Sequence, residues 1–274
     1  KLSNPPQQKK IPKTLSAHGD DRVDDYYWLR DDTRKDPEVI SYLEAENQYL
    51  EDWFAVNHDR RQEIYEELVS YIPAKEVSMK IKHGDYVYFS EMQSDQQYKT
   101  YFRELHGKKE TILEVNKLAE GYDYFNIAAL TPSSDNLMIA YAEDLSGRRE
   151  YNIKIKDLKS GAIIDSTIQN SSGSTVWNKS NTAIYYAQKD PVTLIENKVF
   201  KHIIGTDQNT DELIYEEKDA EFHLGIYESR TKKYLNIDIS KTEASETWLL
   251  DLENEGSKPF CVLTRSDKHL YSVE

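Results

Sequence analysis

Seven histidines, one cysteine and a few short runs of charge are the residues of this chain with chemistry to offer. The histidines stand at positions 18, 58, 83, 106, 202, 223 and 269, never as His-x-x-x-His and never beside a second cysteine. A zinc site needs three or four converging nitrogen, sulfur or oxygen ligands, so this spacing points to no metal and no cofactor. Cys261 lies in a stretch that reads as a strand with no basic neighbour, which suits a small buried hydrophobe better than a nucleophile. Glu216 and Glu217 with Asp219 and Glu221 make an acidic patch able to attract basic peptides, although solvated loop charge is the plainer account. Arg148 and Arg149 fall between two strands, placed to pair with carboxylates of another domain or of their own sheet. Asp123, Glu143 and Asp144 fall at the ends of strand units, where a carboxylate can reach a neighbouring domain. No catalytic residue is assigned. Asn170-Ser171-Ser172 and Asn178-Lys179-Ser180 match the glycosylation sequon, which has meaning only on a secretory route that the sequence does not display.

Short strands must position these residues. One strand, apolar at alternate positions, recurs at 98–105, 151–158, 197–204 and 245–252, with steps of 53, 46 and 48 residues between the starts. Before each lies a Tyr- and Ile-rich strand reached through a polar turn: 86–89, 137–142, 183–187 and 234–239. After each comes another, at 111–115, 162–164, 212–215 and 260–263. Opening strands such as 77–81 and 222–227 bring the count to four per unit. Period-two alternation bounded by Asn, Asp, Ser and Gly is the hairpin pattern, and a repeat of roughly 40 to 50 residues with four strands is a propeller blade. The blades are expected near 76–118, 122–168, 174–217 and 221–265, with a fifth opening at 268–274. Such units cannot bury their own faces alone. Four of them therefore predict a larger assembly, or self-association through open edges and an exposed apolar face on the last blade.

Residues 1–75 are organised differently. Asp36-Pro37 is a helix start, and Val39, Ile40, Tyr42, Leu43, Tyr49, Leu50, Trp53 and Phe54 keep helical spacing. A second set, Ile64, Tyr65, Leu68 and Val69, ends near Pro73. The prediction is thus a mainly β chain: an extended arm with two helices over 1–75, then a partial propeller over 76–274. The cluster Tyr26-Tyr27-Trp28-Leu29 reads as aromatic side chains docked on a neighbouring surface.

Charge and composition narrow the function. A net charge of −14 argues against nucleic acid. No run of about 18 apolar residues offers a membrane span, and the start Lys1-Leu2-Ser3-Asn4-Pro5-Pro6 has no signal-peptide core. A single cysteine suits the cytoplasm, with the periplasm left open.

The stretch 18–32, His-Gly-Asp-Asp-Arg-Val-Asp-Asp-Tyr-Tyr-Trp-Leu-Arg-Asp-Asp, followed by Asp36-Pro37-Glu38-Val39 and Tyr42-Leu43-Glu44-Ala45-Glu46-Asn47, resembles the N-terminal region of the prolyl oligopeptidase family, in its oligopeptidase B branch. Ala140 to Asp144, Gly147 to Tyr151, Lys189 to Leu194, Ile214 to Asp219 and Ser245 to Asp251 are similar to that branch's propeller. The resemblance implies a serine peptidase of two domains. One is an α/β-hydrolase domain with a Ser-Asp-His triad. The other is a seven-bladed propeller that restricts entry to short peptides, cleaved in this branch after Lys or Arg. It further implies that the N-terminal helices wrap onto the catalytic domain, and that Asp123, Glu143, Asp144, Arg148 and Arg149 are placed to dock it. The family nucleophile sits in Gly-x-Ser-x-Gly, which is absent here. The expectation is therefore a non-catalytic part, inactive alone, whose partners are the absent hydrolase domain and short basic peptides. The alternative is a stand-alone propeller scaffold that binds a peptide or protein.

Overall fold

A computed structural model describes residues 4–274. It divides into two compact units, one ending at Pro73 and one spanning Ala74–Glu274. The start at Lys1-Leu2-Ser3 lies outside the described residues.

The first unit contains a hairpin that the sequence reading missed: β1 (Lys13–Ala17) pairs with β2 (Asp20–Asp24) around His18 and Gly19, both at positive φ. Helix α1 (Pro37–Ala55) starts as its sequence dictates, with Asp36 accepting the Glu38 N–H and Pro37 in the first turn. Helix α2 (His58–Ser70) begins six residues before Ile64, its first apolar marker, because the intervening turn is polar and carries no periodic signal. Tyr27–Leu29 form a single 3-10 turn. The Trp28 indole donates to the Lys9 carbonyl, and Lys9 lies over its ring, so this aromatic segment is satisfied by the chain just before it.

The second unit is four antiparallel sheets. In the first, β3 (Lys75–Val77) and β4 (Ile81–His83) both pair with β5 (Tyr86–Gln93), followed by β6 (Thr100–Leu105) and β7 (Lys108–Glu114). The single opening strand expected at 77–81 is thus two, because the Ser78 hydroxyl turns in to accept the Ser90 N–H and interrupts the ladder. A short helix, α3 (Val115–Leu118), leads to the second sheet: β8 (Asn126–Pro132), β9 (Met138–Asp144), β10 (Asn152–Asp157) and β11 (Ile163–Asp165). The third is β12 (Ser171–Trp177), β13 (Ala183–Lys189), β14 (Glu196–Ile203) and β15 (Glu212–Glu216). The fourth is β16 (His223–Glu228), β17 (Tyr234–Lys241), β18 (Ala244–Asp251) and β19 (Phe260–Leu263). Each sheet is one propeller blade, and we number them 1 to 4.

The core lies between blades. On β9, Ile139 and Tyr141 face blade 1 with Leu113 and Phe125, while Ala140 and Ala142 face blade 3 with Trp177, Ile184 and Tyr186. Tyr185, Ala187 and Val199 meet Leu224, Ile226, Leu235 and Ile237 at the next junction. With both faces covered, β9 and β13 are buried residue after residue and read as near-continuous apolar runs.

Blade 4 differs. Its β17 sends Leu235, Ile237 and Ile239 toward blade 3, whereas Asn236, Asp238 and Ser240 point to the other face, opposite Leu249, Thr247 and Ser245 of β18. Along this strand the outer face is polar because alternation is strict, but Tyr227 of β16 and Phe260 of β19, in register with Asn236 and Leu249, leave exposed apolar surface on the same face. Residues 268–274 form no strand ladder. They lie against that face through a parallel bridge between Ala244 and His269, and the Tyr271 hydroxyl accepts the Thr247 N–H.

Candidate functional site

A recurrent hairpin shapes one end of the blades. Ser133, Asn178 and Ser229 open the turns between first and second strands, and each side-chain oxygen accepts the N–H five residues on, at Met138, Ala183 and Tyr234. The fourth turn residue, Asn136, Asn181 or Lys232, adopts left-handed φ near +60° in every case. Asn tolerates that conformation because its short polar side chain bonds locally. The tips then reach sideways. Asn136 Oδ1 accepts the Tyr88 hydroxyl of blade 1 at 2.7 Å, and its carbonyl accepts Arg103 Nη1 at 2.6 Å. Asn181 Oδ1 accepts from Ser134 of blade 2.

Beneath these tips the opening strands line a cavity of about 360 Å³. Leu130 and Pro132 of β8, Val176 and Trp177 of β12 and Ile226 of β16 supply apolar wall, with Lys179, Glu228 and Lys232 among its charged residues. Its walls are joined by Thr175 donating to Thr131 Oγ1, and by the Trp177 indole donating to the Thr131 carbonyl. The cavity is thus a groove along the opening strands with mixed apolar and charged lining.

The docking candidates gather around the β9–β10 hairpin. Glu143 is buried and pairs with Lys154 Nζ at 2.5 Å. Asp144 is fully buried and accepts the N–H groups of Ser146, Gly147 and Arg149. Burial alone would raise its carboxyl, but these amides outweigh burial and hold it below the usual carboxylate range. Both carboxylates have their partners inside blade 2. Arg148 is exposed and pairs with Glu150 at 3.8 Å, and Arg149, also exposed, has a left-handed backbone with its carbonyl accepting Lys189 Nζ. Asp123 is exposed, and its chain neighbour Tyr124 packs beside Gly147.

Of the acidic run only Glu217 is withdrawn from solvent, while Glu216, Asp219 and Glu221 are exposed. Glu217 is buried against Arg265 at 2.5 Å, Glu216 lies 3.5 Å from Lys198, and Glu221 meets Lys241. Arg265 also reaches Glu246 at 3.4 Å and lies 4.1 Å over the Phe222 ring, a fastening of blade 3 to blade 4 that the sequence did not reveal. Its only signal was a lone arginine after the last strand. Burial raises the Glu246 carboxyl less than the Arg265 amide, the Trp248 indole and the Arg265 guanidinium lower it, so it sits below its ordinary value. Cys261 is half-buried, and burial, then the charge of Glu246, push its thiol up, away from nucleophilic use. Among the described residues no group of three or more His, Cys, Asp or Glu is arranged to hold a metal. None of the described helices is long and apolar enough to cross a membrane.

Four packed antiparallel blades, the first of five strands and the others of four, with a groove at the opening strands define a β-propeller of the kind that accompanies a peptidase. The chain belongs to the prolyl oligopeptidase family: the model of the prolyl oligopeptidase N-terminal beta-propeller domain matches residues 5–274. It is similar to Protease 2 of Moraxella lacunata, 34% identical over 98% of this chain and 40% of that protein. It is also 33% identical to Dipeptidyl aminopeptidase BI of Pseudoxanthomonas mexicana, over 89% of this chain and 36% of the relative. The solved structure of oligopeptidase B from Leishmania major superposes with a TM-score of 0.91 at 30% identity, covering 97% of this chain and 40% of that one. The chain thus spans about two-fifths of the length of the relatives it matches.

Proposed function

We propose that this chain is the access-controlling part of an oligopeptidase B-like serine peptidase that cleaves short peptides after Lys or Arg, with the chemistry carried by a hydrolase domain in the same parent chain. The observation that carries this reading is the set of opening strands β8, β12 and β16 lining one groove. A ring of such blades over a nucleophile admits flexible peptides and excludes folded proteins. Exposed apolar residues on the two helices, Leu43, Leu50 and Trp53 of α1 with Tyr65 and Leu68 of α2, support a role in clasping the second domain. Asp123, Glu143, Asp144, Arg148 and Arg149 are proposed to dock that domain, with the exposed Asp123, Arg148 and Arg149 the most accessible of them.

The experiment uses pure 274-residue chain and a full-length parent, each given an Arg-containing short peptide and a folded protein bearing the same bond. The reading expects no turnover by the chain alone, and peptide but not folded-protein cleavage by the parent. Folded-protein cleavage by the parent would refute gating, and peptide cleavage by the isolated chain would refute its non-catalytic role. Charge reversal at Asp123 or Arg148 in the parent is expected to alter activity and its salt dependence. An unchanged profile would remove those residues from docking.

A further inference from the structure

The groove along the opening strands carries two cations without a counter-ion. Lys179, in the β12–β13 turn, and Lys232, in the β16–β17 turn, both line it and are both exposed, and among the described residues neither forms an ion pair. Other charges of these turns are engaged already. Arg230 pairs with Glu274 at 3.0 Å, Glu255 accepts the Ser180 hydroxyl at 2.7 Å, and Asp135 accepts the Ser133 hydroxyl and the Leu137 N–H. Glu228 is the one acid in the lining, against two lysines, so the groove is locally positive in a chain of net charge −14. Both lysine backbones are pinned. The Lys179 N–H donates to the Leu252 carbonyl of blade 4, and the Lys232 N–H, at φ of 58°, donates to the Ser229 carbonyl. The wall beside them is held as well. Thr175 donates to Thr131 across the seam of blades 2 and 3, and farther along that seam His202 of β14 is fully buried, its ring nitrogens 2.8 Å from Asp165 and 2.7 Å from Asp211.

We propose that this groove binds the C-terminal end of a short peptide, with Lys179 and Lys232 holding the free carboxylate and the wall of Val176, Trp177 and Ile226 taking an apolar last side chain. This deepens, and rests on, the reading of the groove as part of a peptide path. A carboxylate has two acceptor oxygens and each ammonium three donors, and hydrogen bonds between ionised partners are roughly twice as strong as neutral ones. A terminal residue carries its carboxylate and its side chain on the same Cα, so it delivers an anion and an apolar group side by side. The lining has that adjacency, since Lys179 follows Trp177 by two positions. An aspartate or glutamate side chain would bring the charge without the apolar group. Glu228, the last residue of β16, is left to accept a backbone N–H of the same peptide. At about 360 Å³ the cavity lies at the small end of ligand sites, about 300–1,000 Å³, which suits the end of a peptide and not a folded loop.

The test titrates the 274-residue chain with acetyl-Ala-Ala-Leu bearing a free carboxylate, with the same peptide as its carboxamide, and with acetate, read by calorimetry and by the NMR shift of the Trp177 indole N–H. The acid is expected to bind about tenfold tighter than the amide, the gain from a charge-assisted contact over a neutral one, and that preference should shrink as ionic strength rises to about 0.5 M. The double variant Lys179→Met, Lys232→Met should bind acid and amide alike, within about twofold of the wild-type amide, and Glu228→Gln should tighten the acid about threefold. No turnover enters this measurement, so it can fail while access control by the blades stands, and folded-protein cleavage by the parent would remove access control yet leave the carboxylate preference unaltered. Equal wild-type affinity for acid and amide, acetate binding as tightly as the peptide, binding that leaves the Trp177 indole unmoved, or a double variant that keeps the preference would overturn the proposal. So would the absence of binding by either peptide at about 5 mM. Should the double variant fail to fold, the comparison of acid with amide on the wild-type chain decides alone.

Discussion

Replacing Arg265 by Met removes the one cation that faces two buried carboxylates. The side chains of Glu217 and Glu246 are 5% and 7% exposed, against 27% for Arg265, so solvent cannot take over its role. Breaking a buried pair from one side costs about 3–5 kcal/mol. Glu246 keeps the residue-265 N–H and the Trp248 indole after the change, whereas Glu217 keeps the Asp219 N–H and a long contact from the Tyr215 hydroxyl. The lower end, about 3 kcal/mol at pH 7, is therefore expected. With a urea slope of about 2–3 kcal/mol/M, the midpoint for the second unit falls by about 1 M. The pH dependence is the sharper test. Wild-type Glu246 sits below its ordinary value, so its contribution is present above about pH 4.3 and lost as pH falls through the lower folded value. In the variant, Glu246 loses the guanidinium that helps to hold it low and takes up its proton at higher pH, which relieves the penalty as pH drops. The gap between wild type and variant should shrink to about half by pH ~4.5. A midpoint shift below roughly 0.3 M at pH 7, or a penalty of the same size at both pH values, would falsify this account of the junction.

Asn136→Ala is expected to cost about 2–4 kcal/mol, from a left-handed φ of 60° and an unpaired Tyr88 hydroxyl, while Asn136→Gly incurs only the second cost. Urea titration of both variants checks this, and equal losses would show that the backbone conformation contributes nothing. Gly173→Ala in β12 combines φ of +97° with a new Cβ 3.1 Å from both Ala128 Cβ and the Tyr151 ring. It should destabilise blade 3 by at least about 2 kcal/mol, read as a fall in thermal midpoint, and an unchanged midpoint would mean that the chain relaxes there freely.

The strand order was legible in the sequence because hairpin-linked strands alternate with turn residues at fixed offsets, and 260–263 matches β19 residue for residue. The first helix was legible at its start through Asp36-Pro37. What could not be read was which polar residues turn inward. Glu217 sits in a run of acids that looks solvated, and only the fold brings Arg265 to it across 48 positions. Asp144 looks like a surface charge because the three N–H groups that occupy it belong to a turn whose shape is set in three dimensions. His202 gave no motif, since its two carboxylates lie 37 positions before it and nine after it. The groove itself was implied by the repeat, but its lining was not, because the opening strands are the least regular in sequence.

The three junctions are fastened by three unlike chemistries: a turn amide, an imidazole between acids, and a guanidinium between acids. Blades that stack on generic apolar faces could in principle pair out of turn, within one chain or between chains emerging from neighbouring ribosomes. A blade 3 that met blade 1 would leave His202 without Asp165, and a blade 4 that met blade 2 would leave Arg265 without Glu217. Each wrong neighbour loses its cross-blade contact, although Arg265 keeps Glu246 and His202 keeps Asp211 within their own blades. The succession of blades is thus written twice, once in the covalent order of the chain and again as a lock-and-key identity code at every seam, which favours orderly assembly of a fold built from near-identical parts.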